Sequence, residues 1–158
     1  MIFLGLGSNM GNRLQNLTSA IDLLLKNGVE VMKRSSIYET DAWGYTHQAS
    51  FLNMVIAGNT KFNPQELLGI CLDIEAQLGR ERIEKWGPRI IDIDILLFDD
   101  LILHTDNLII PHPLFASRKF VLEPLSEIAS DIIDPLSKKS IAELNQQCLD
   151  ELEVKKIS

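Results

Sequence analysis

The chain has 158 residues, 46% of them hydrophobic, and a formal net charge of −7 at pH 7. This length and apolar content suit one domain with its own core, so we expect residues 1–158 to form a single domain. The acidic balance repels nucleic-acid phosphates and disfavours a large nucleic-acid footprint.

Cysteine usage and hydropathy bear on the cellular setting. The two cysteines, Cys71 and Cys148, show no metal or redox spacing, which favours a reduced intracellular environment. No segment approaches the roughly 18–20 apolar residues that a membrane helix needs. The opening Met1–Leu4 lacks the charged start of a signal peptide. We therefore expect a cytoplasmic protein with no membrane partner, either a monomer or a weak dimer.

The first 98 residues predict four strands and two helices. Short apolar or β-branched runs predict the strands at Ile2–Leu6, Val29–Thr40, Phe51–Ala57 and Ile90–Phe98. Leucines and isoleucines at helical spacing predict the first helix, ending near Asn27-Gly28, with an apolar face formed by Leu14, Leu17, Ile21, Leu24 and Leu25.

A second helix begins at a sequence typical of a helix N-terminus, Asn63-Pro64-Gln65-Glu66, and Gly79 is a plausible stop. Its buried face is predicted to contain Leu67, Cys71, Ile74 and Leu78. The order of elements predicts a ferredoxin-like βαββαβ fold of the α+β class, an antiparallel sheet with helices on one face. After Asp99 we expect added C-terminal elements: a short strand near Leu108–Ile110 and one or two helices, the last near Ile141–Leu152.

The segment Trp86–Leu96 contains the clearest chemical signal. Strict alternation directs Ile91, Ile93, Ile95 and Leu97 into the core and Asp92 and Asp94 to the other face, roughly 6–7 Å apart. The two carboxylates repel each other unless a raised pKa, an arginine or a divalent cation offsets their charge. Arg80, Arg82 and Arg89 precede the pair, so a magnesium–phosphate site competes with a solvated, salt-bridged strand face.

Three further motifs are weaker. Gly5–Gly11 lacks the dinucleotide-binding and P-loop patterns, and indicates either a tight turn with Asn9 or Asn12 as N-cap or a close backbone approach to a flat ligand. His112, between two prolines, is either a loop residue or a contact to phosphate or ribose. Phe51 beside Asn53 either belongs to the core or stacks on and hydrogen-bonds a heterocycle.

Taken in order, these motifs resemble one family, 6-hydroxymethyl-7,8-dihydropterin pyrophosphokinase of folate biosynthesis. The resemblance rests on Leu6–Asn9, Phe51–Asn53, Trp86–Leu96 and Pro111–Pro113, and it extends from Leu4 to about Pro135. It implies transfer of pyrophosphate from ATP to the hydroxymethyl group of the pterin, with release of AMP.

The resemblance also implies residue roles. Asp92 and Asp94 would hold two Mg²⁺ ions and would be catalytic together with Arg80 and Arg89. The pterin would contact Thr40, Trp43, Phe51, Asn53 and Phe120. ATP would contact Glu75, Arg82, Trp86, Arg89, His112 and Arg118. The loops Gly7–Asn12, Asp41–Ser50 and Arg80–Pro88 would close over the substrates.

One region departs from the family pattern, which commonly has proline where this chain has Ala42 and often another near Ala49. Fewer prolines leave the unbound loop more conformational freedom, a cost of about 0.4–1 kcal/mol per site. Two other functions stay open on the sequence: a non-catalytic, nucleotide-sensing ferredoxin-like module, and a metal-dependent phosphohydrolase that needs no pterin.

Overall fold

The computed structural model describes residues 1–41, 50–79 and 90–158. The strands in chain order are β1 (Ile2–Ser8), β2 (Val29–Arg34), β3 (Tyr38–Thr40), β4 (Phe51–Thr60), β5 (Asp92–Phe98), β6 (Leu103–His104), β7 (Ile109–Ile110) and β8 (Lys155–Lys156). The helices are α1 (Arg13–Lys26), α2 (Pro64–Gly79), α3 (Lys119–Ala129) and α4 (Ile141–Gln147).

The main sheet is antiparallel, in the order β5-β1-β4-β3-β8, and β2 also pairs with β4. The four strand regions and two helices predicted in the first 98 residues are all present. The small β6–β7 ladder includes the strand expected near Leu108–Ile110. Strand β8 was not predicted, because its two lysines carry no apolar pattern. It forms through antiparallel pairing with the edge of β3.

Helices cover both faces of the sheet, which corrects the expectation of helices on one face. On the first face α1 and α2 bury residues such as Ile21, Leu24 and Cys71 against Ile93 and Ile95. On the second face α3 and α4 enclose a separate cluster that includes Phe3, Val55, Leu97, Leu122 and Ile141. The central strands β1 and β4 and the edge strand β5 each supply apolar side chains to both clusters. The C-terminal elements therefore complete a second core.

The predicted strand Val29–Thr40 is interrupted. Ser35 keeps the backbone contact with β4, since its N–H donates to the Val55 carbonyl at 2.8 Å and its hydroxyl accepts from the Val55 N–H at 2.9 Å. Ser36 turns away and donates its N–H to the Glu127 carboxylate of α3. The polar side chains at this point thus replace ladder bonds and divide the strand into β2 and β3.

The alternation predicted for β5 fails at its end. Leu4 pairs with Ile95 but Phe3 pairs with Leu97, so Leu96 is an extra residue opposite β1. Such a bulge reverses the side-chain alternation beyond it. Leu97 therefore packs in the second core, with Leu96, rather than in the first core as predicted. Asp92 and Asp94 precede the bulge and keep the predicted face.

The helix ends follow local chemistry. Asn12 caps α1 by accepting from the Gln15 N–H at 3.1 Å, which resolves the choice between Asn9 and Asn12. In α2, Asn63 and Glu66 exchange reciprocal side-chain bonds of 2.9 and 3.0 Å.

Two of the predicted helix boundaries and faces differ from the structure. Leu14 and Leu25 in α1 are 51% and 46% exposed, because the buried stripe follows Leu17, Ile21 and Leu24 only. Helix α4 ends at Gln147 rather than near residue 152, because the chain turns back toward β3. Within the described ranges, no helix has the length and apolar character to cross a bilayer.

Candidate functional site

The register of three strands places the predicted carboxylates and the predicted amide in adjacent rows of one sheet face. Gly7 of β1 pairs with Asp92 on one side and with Asn53 on the other. Gly5 likewise pairs with Asp94 and with Val55. Neighbouring strands are about 4.8 Å apart, so the backbones at Asp92 and Asn53 are separated by about 10 Å.

The two glycines leave the centre of this face bare. A Cβ atom on Gly7 would lie 3.0 Å from Asn53 Oδ1, and one on Gly5 would lie 3.4 Å from the Leu96 side chain. Any larger residue at position 7 would therefore displace the amide that the sequence singled out. Gly5 and Gly7 lie within β1, and the close approach of a flat ligand to their backbone stays a prediction.

A cavity of about 500 Å³ lies over this floor, a volume within the range of small-molecule sites. It brings together most of the residues that the sequence predicted for the site, namely Thr40, Phe51, Asn53, Glu75, Asp92, Asp94, His112, Arg118 and Phe120. The other predicted site residues, Trp43, Arg80, Arg82, Trp86 and Arg89, lie outside the described residues.

The Asn53 end of the cavity is buried and hydrogen-bonded. Asn53 is 7% exposed and Thr40 is 3% exposed. The Asn53 Nδ2 group donates to Thr40 Oγ1 at 3.0 Å, which fixes the plane of the amide. Phe51, on the same face of β4, and Phe120, at the start of α3, add aromatic surface to the cavity wall. The Arg118 guanidinium lies 5.5 Å from the centre of the Phe120 ring.

The carboxylate end lies on β5, the edge strand of the sheet. Asp94 is exposed and Asp92 is half-buried. Between them, the Ile93 N–H points away from β1 and donates to Glu75 Oε2 at 2.7 Å. Glu75 of α2 thus satisfies an edge N–H next to the pair.

The donor set at this end fits Mg²⁺. Carboxylate oxygens are hard ligands, and Mg²⁺ is usually held by one or two carboxylates together with water and substrate phosphates. Across the described ranges, no group of three or more His, Cys, Asp or Glu side chains is placed to enclose a metal ion. Asp92 and Asp94 are two carboxylates on one open face, so the remaining positions around a metal ion held there would be filled by water and phosphate oxygens.

His112 lines the cavity in a fixed orientation. The backbone N–H of His112 donates to the Leu96 carbonyl at 2.9 Å, and the ring Nδ1 of His112 accepts from the Leu114 backbone N–H at 3.2 Å. Burial lowers the pKa of the imidazole, opposed by the nearby Asp94 carboxylate and reinforced by the Arg118 guanidinium. The ring is therefore neutral at pH 7, and with Nδ1 used as an acceptor its proton is on Nε2.

Some cavity residues were not predicted. Leu68 and Leu72 of α2 line the cavity next to Glu75, so the cavity extends around the edge strand β5. Leu72 is 53% exposed and, as part of the cavity wall, lies outside the buried stripe of α2. Helical spacing could have predicted that these leucines lie beside Glu75, because positions 68, 72 and 75 share one helical face distinct from the buried stripe.

A family model and several curated relatives that match this chain carry the same pyrophosphokinase description. Residues 3–130 match the family model described as 7,8-dihydro-6-hydroxymethylpterin-pyrophosphokinase. A 2-amino-4-hydroxy-6-hydroxymethyldihydropteridine pyrophosphokinase of Aquifex aeolicus is 42% identical over 146 residues, covering 92% of this chain and 91% of that protein. The Bacillus subtilis protein of the same name is 49% identical over 131 residues, covering 82% of this chain and 78% of the relative.

A solved structure shares the fold at low identity. Plasmodium falciparum HPPK-DHPS wild type superposes with a TM-score of 0.72 at 15% identity. The match covers 92% of this chain but 44% of that longer one. The likeness therefore concerns the fold of one part of the Plasmodium protein.

Proposed function

The chain belongs to the 7,8-dihydro-6-hydroxymethylpterin-pyrophosphokinase family, and we propose that it transfers pyrophosphate from ATP to 6-hydroxymethyl-7,8-dihydropterin in folate biosynthesis. The observation that carries this proposal is the strand register, which places Asn53 and Asp92 on either side of Gly7. A flat heterocycle held at Asn53 can direct its hydroxymethyl arm toward the carboxylates, about 10 Å away.

The Asn53 end is the proposed pterin subsite. A pterin is a planar heterocycle whose edge carries both hydrogen-bond donors and acceptors, and a side-chain amide offers both. Asn53, oriented by Thr40, supplies that edge recognition, while Phe51 and Phe120 supply stacking surface. Because Asn53 and Thr40 are already bonded to each other in the free protein, these two side chains need little further ordering when the pterin binds.

The Asp92–Asp94 end is the proposed magnesium site, holding two ions. Mg²⁺ held by these two carboxylates would supply positive charge against the polyphosphate and Lewis acidity. The residues themselves present ligand oxygens from one face of a strand whose backbone is held by β1 and by Glu75. This rigid support matters because transfers of this kind depend mainly on positioning and on stabilising charge.

The nucleotide is proposed to lie along Glu75, His112 and Arg118. The neutral imidazole of His112 donates through Nε2 to a phosphate or ribose oxygen, and Arg118 provides positive charge at the same wall. By family likeness, Arg80, Arg82, Trp86 and Arg89 join them on the ATP side, and Trp43 joins the pterin side.

The proposed reaction forms one bond and breaks another. The pterin hydroxyl oxygen attacks the β-phosphorus of ATP, and the bond from that phosphorus to the α–β bridging oxygen breaks, so that AMP leaves. The hydroxyl proton passes to water or to a carboxylate at the Asp92–Asp94 end. No strong general base is required, since positioning and charge stabilisation carry most of the rate enhancement.

A product assay tests the function. Chromatography of a reaction with ATP, Mg²⁺ and the pterin alcohol is expected to show AMP, and omission of the pterin or chelation of the metal should each abolish it. A dihydropterin that lacks the hydroxyl is the matched control for the acceptor. Formation of ADP with the pterin would indicate an ordinary kinase, and ATP cleavage without any pterin would indicate a phosphohydrolase.

Three further proposals concern the setting of the enzyme. The order β5-β1-β4 followed by β3 and β2 supports a ferredoxin-like βαββαβ plan from β1 to β5, with β2 and β3 together taking the place of one strand. Two cores on opposite faces of one sheet support a single domain over residues 1–158. Cysteine usage and charge support a cytoplasmic protein, with sedimentation as the test of a monomer or weak dimer.

A further inference from the structure

Arg13, the first residue of α1, connects this helix to both sides of the β3–β4 hairpin. Its Nη1 group donates to Glu39 Oε2 at 2.9 Å, to the Ser50 carbonyl at 2.8 Å and to Ser50 Oγ at 3.0 Å. The Ser50 hydroxyl in turn donates to Glu39 Oε2 at 2.8 Å. The three side chains therefore form a closed set of hydrogen bonds, here named the Arg13 clamp.

The Arg13 clamp lies behind the proposed pterin subsite. Glu39 pairs with Leu52, whose side chain belongs to the core under α1 and α2. Their neighbours Thr40 and Phe51 pair with each other and line the cavity on the opposite face. Since side chains alternate along a strand, the Glu39 side chain lies on the face opposite Thr40, and neither Arg13 nor Glu39 lines the cavity that would hold the ligand. Any effect on that ligand must be transmitted through the hairpin backbone.

This end of the hairpin has little other support from the sheet. Strand β3 has three residues, and its outer neighbour β8 has two exposed ones. Hydrogen bonds between a guanidinium and a carboxylate are stronger than neutral ones. The Ser50 hydroxyl and then the Arg13 guanidinium hold the pKa of the Glu39 carboxyl below its usual value, so the pair is charged at neutral pH.

We propose that Arg13 is a positioning residue for the pterin. By holding Glu39 and Ser50 together, it sets the separation of Thr40 and Phe51 and thereby the plane of Asn53. The inference rests on the proposed function, because it takes the occupant of this end of the cavity to be the pterin. It differs from a stabilising role, since the pair is only half-buried and solvent screening leaves such ion pairs little net effect on stability.

The test compares Arg13→Ala with Lys26→Ala, a control that removes an exposed cation from the last turn of the same helix. Arg13→Ala is expected to raise the KM for the pterin by about three- to tenfold, while the KM for ATP and the Tm change little. Lys26→Ala is expected to change none of these. Calorimetric titration with the pterin should show the same loss of affinity for Arg13→Ala.

A double-mutant cycle tests the route of the effect. If Arg13 acts through Glu39, then Arg13→Ala combined with Glu39→Ala should be no worse than Arg13→Ala alone. Arg13→Lys, which keeps the charge, should recover part of the pterin affinity.

Each other outcome contradicts the inference. An unchanged KM for the pterin in an active Arg13→Ala variant would overturn the positioning role and leave the proposed function intact. A parallel rise in both KM values with a lower Tm would make the clamp merely structural. A wild-type chain that neither binds the pterin nor releases AMP would overturn both proposals.

Discussion

At the Asn53 end of the cavity the polar groups are buried and already paired, whereas at the Asp92–Asp94 end they face an open edge. Asn53 and Thr40 are bonded to each other beneath the surface, but Asp94 is exposed. The two ends share one sheet face and are separated only by Gly5 and Gly7. A neutral heterocycle can be recognised by groups fixed in advance, while a polyphosphate needs charge that its own metal ions bring.

The largest effect is expected at the carboxylate end. Asp94→Ala should lower the rate of AMP formation by roughly a hundred- to a thousandfold, because one of two proposed metal ligands is lost. The free energy of unfolding should stay the same or rise, since a like-charge repulsion on β5 is removed. The matched control is Asp100→Ala, an exposed carboxylate just beyond the same strand. Full activity in Asp94→Ala would remove the metal role from this residue.

The next effect is expected at the amide end. Asn53→Ala should raise the KM for the pterin by roughly five- to a hundredfold, the scale of losing a buried hydrogen-bonding group, and leave the KM for ATP nearly unchanged. Steady-state kinetics with each substrate varied in turn measures the difference. Equal changes in both constants would mean that the two ends are not independent.

A smaller effect, on pterin binding, is expected from a substitution of Gly7, which lies between the two ends of the cavity. Gly7→Ala would place a Cβ atom 3.0 Å from Asn53 Oδ1 and should weaken pterin binding by about tenfold, because the amide must shift. Gly69→Ala is the control: a Cβ atom there meets nothing within 4 Å, and alanine in a helix should stabilise α2 by about 0.5–1 kcal/mol. Unaltered pterin affinity in Gly7→Ala would show that the amide has room to move.

The smallest effect concerns His112 and pH. Because its pKa in the folded chain lies below the usual 6.5, its contribution to stability is complete above pH 6.5 and is lost as the pH falls toward the lower folded pKa. Urea unfolding between pH 7.5 and 5.5 should therefore show a steeper loss of stability for wild type than for His112→Asn. Equal slopes would mean that His112 is not held neutral by burial.

Periodicity predicted most of the scaffold because local rules and tertiary packing agree there. The Asn63–Glu66 cap, the stripe of Leu67, Cys71 and Ile74, and the faces of β4 all follow from local sequence. The predictions failed where a distant residue decided the outcome. The Glu127 carboxylate accepts a hydrogen bond from the Ser36 backbone N–H, and the second predicted strand is interrupted there. The bulge at Leu96 places Leu97 in the second core instead of the first.

The site divides in the same way. The sequence placed Asp92 and Asp94 on one strand face, because a period of two is a local property. It could not place Gly7 between Asp92 and Asn53, since pairing among three strands depends on contacts between residues far apart in the chain. For the same reason no local pattern indicated that Arg13 would reach Glu39 and Ser50. The amino-acid order determined which groups were available, and the sheet register decided which of them meet.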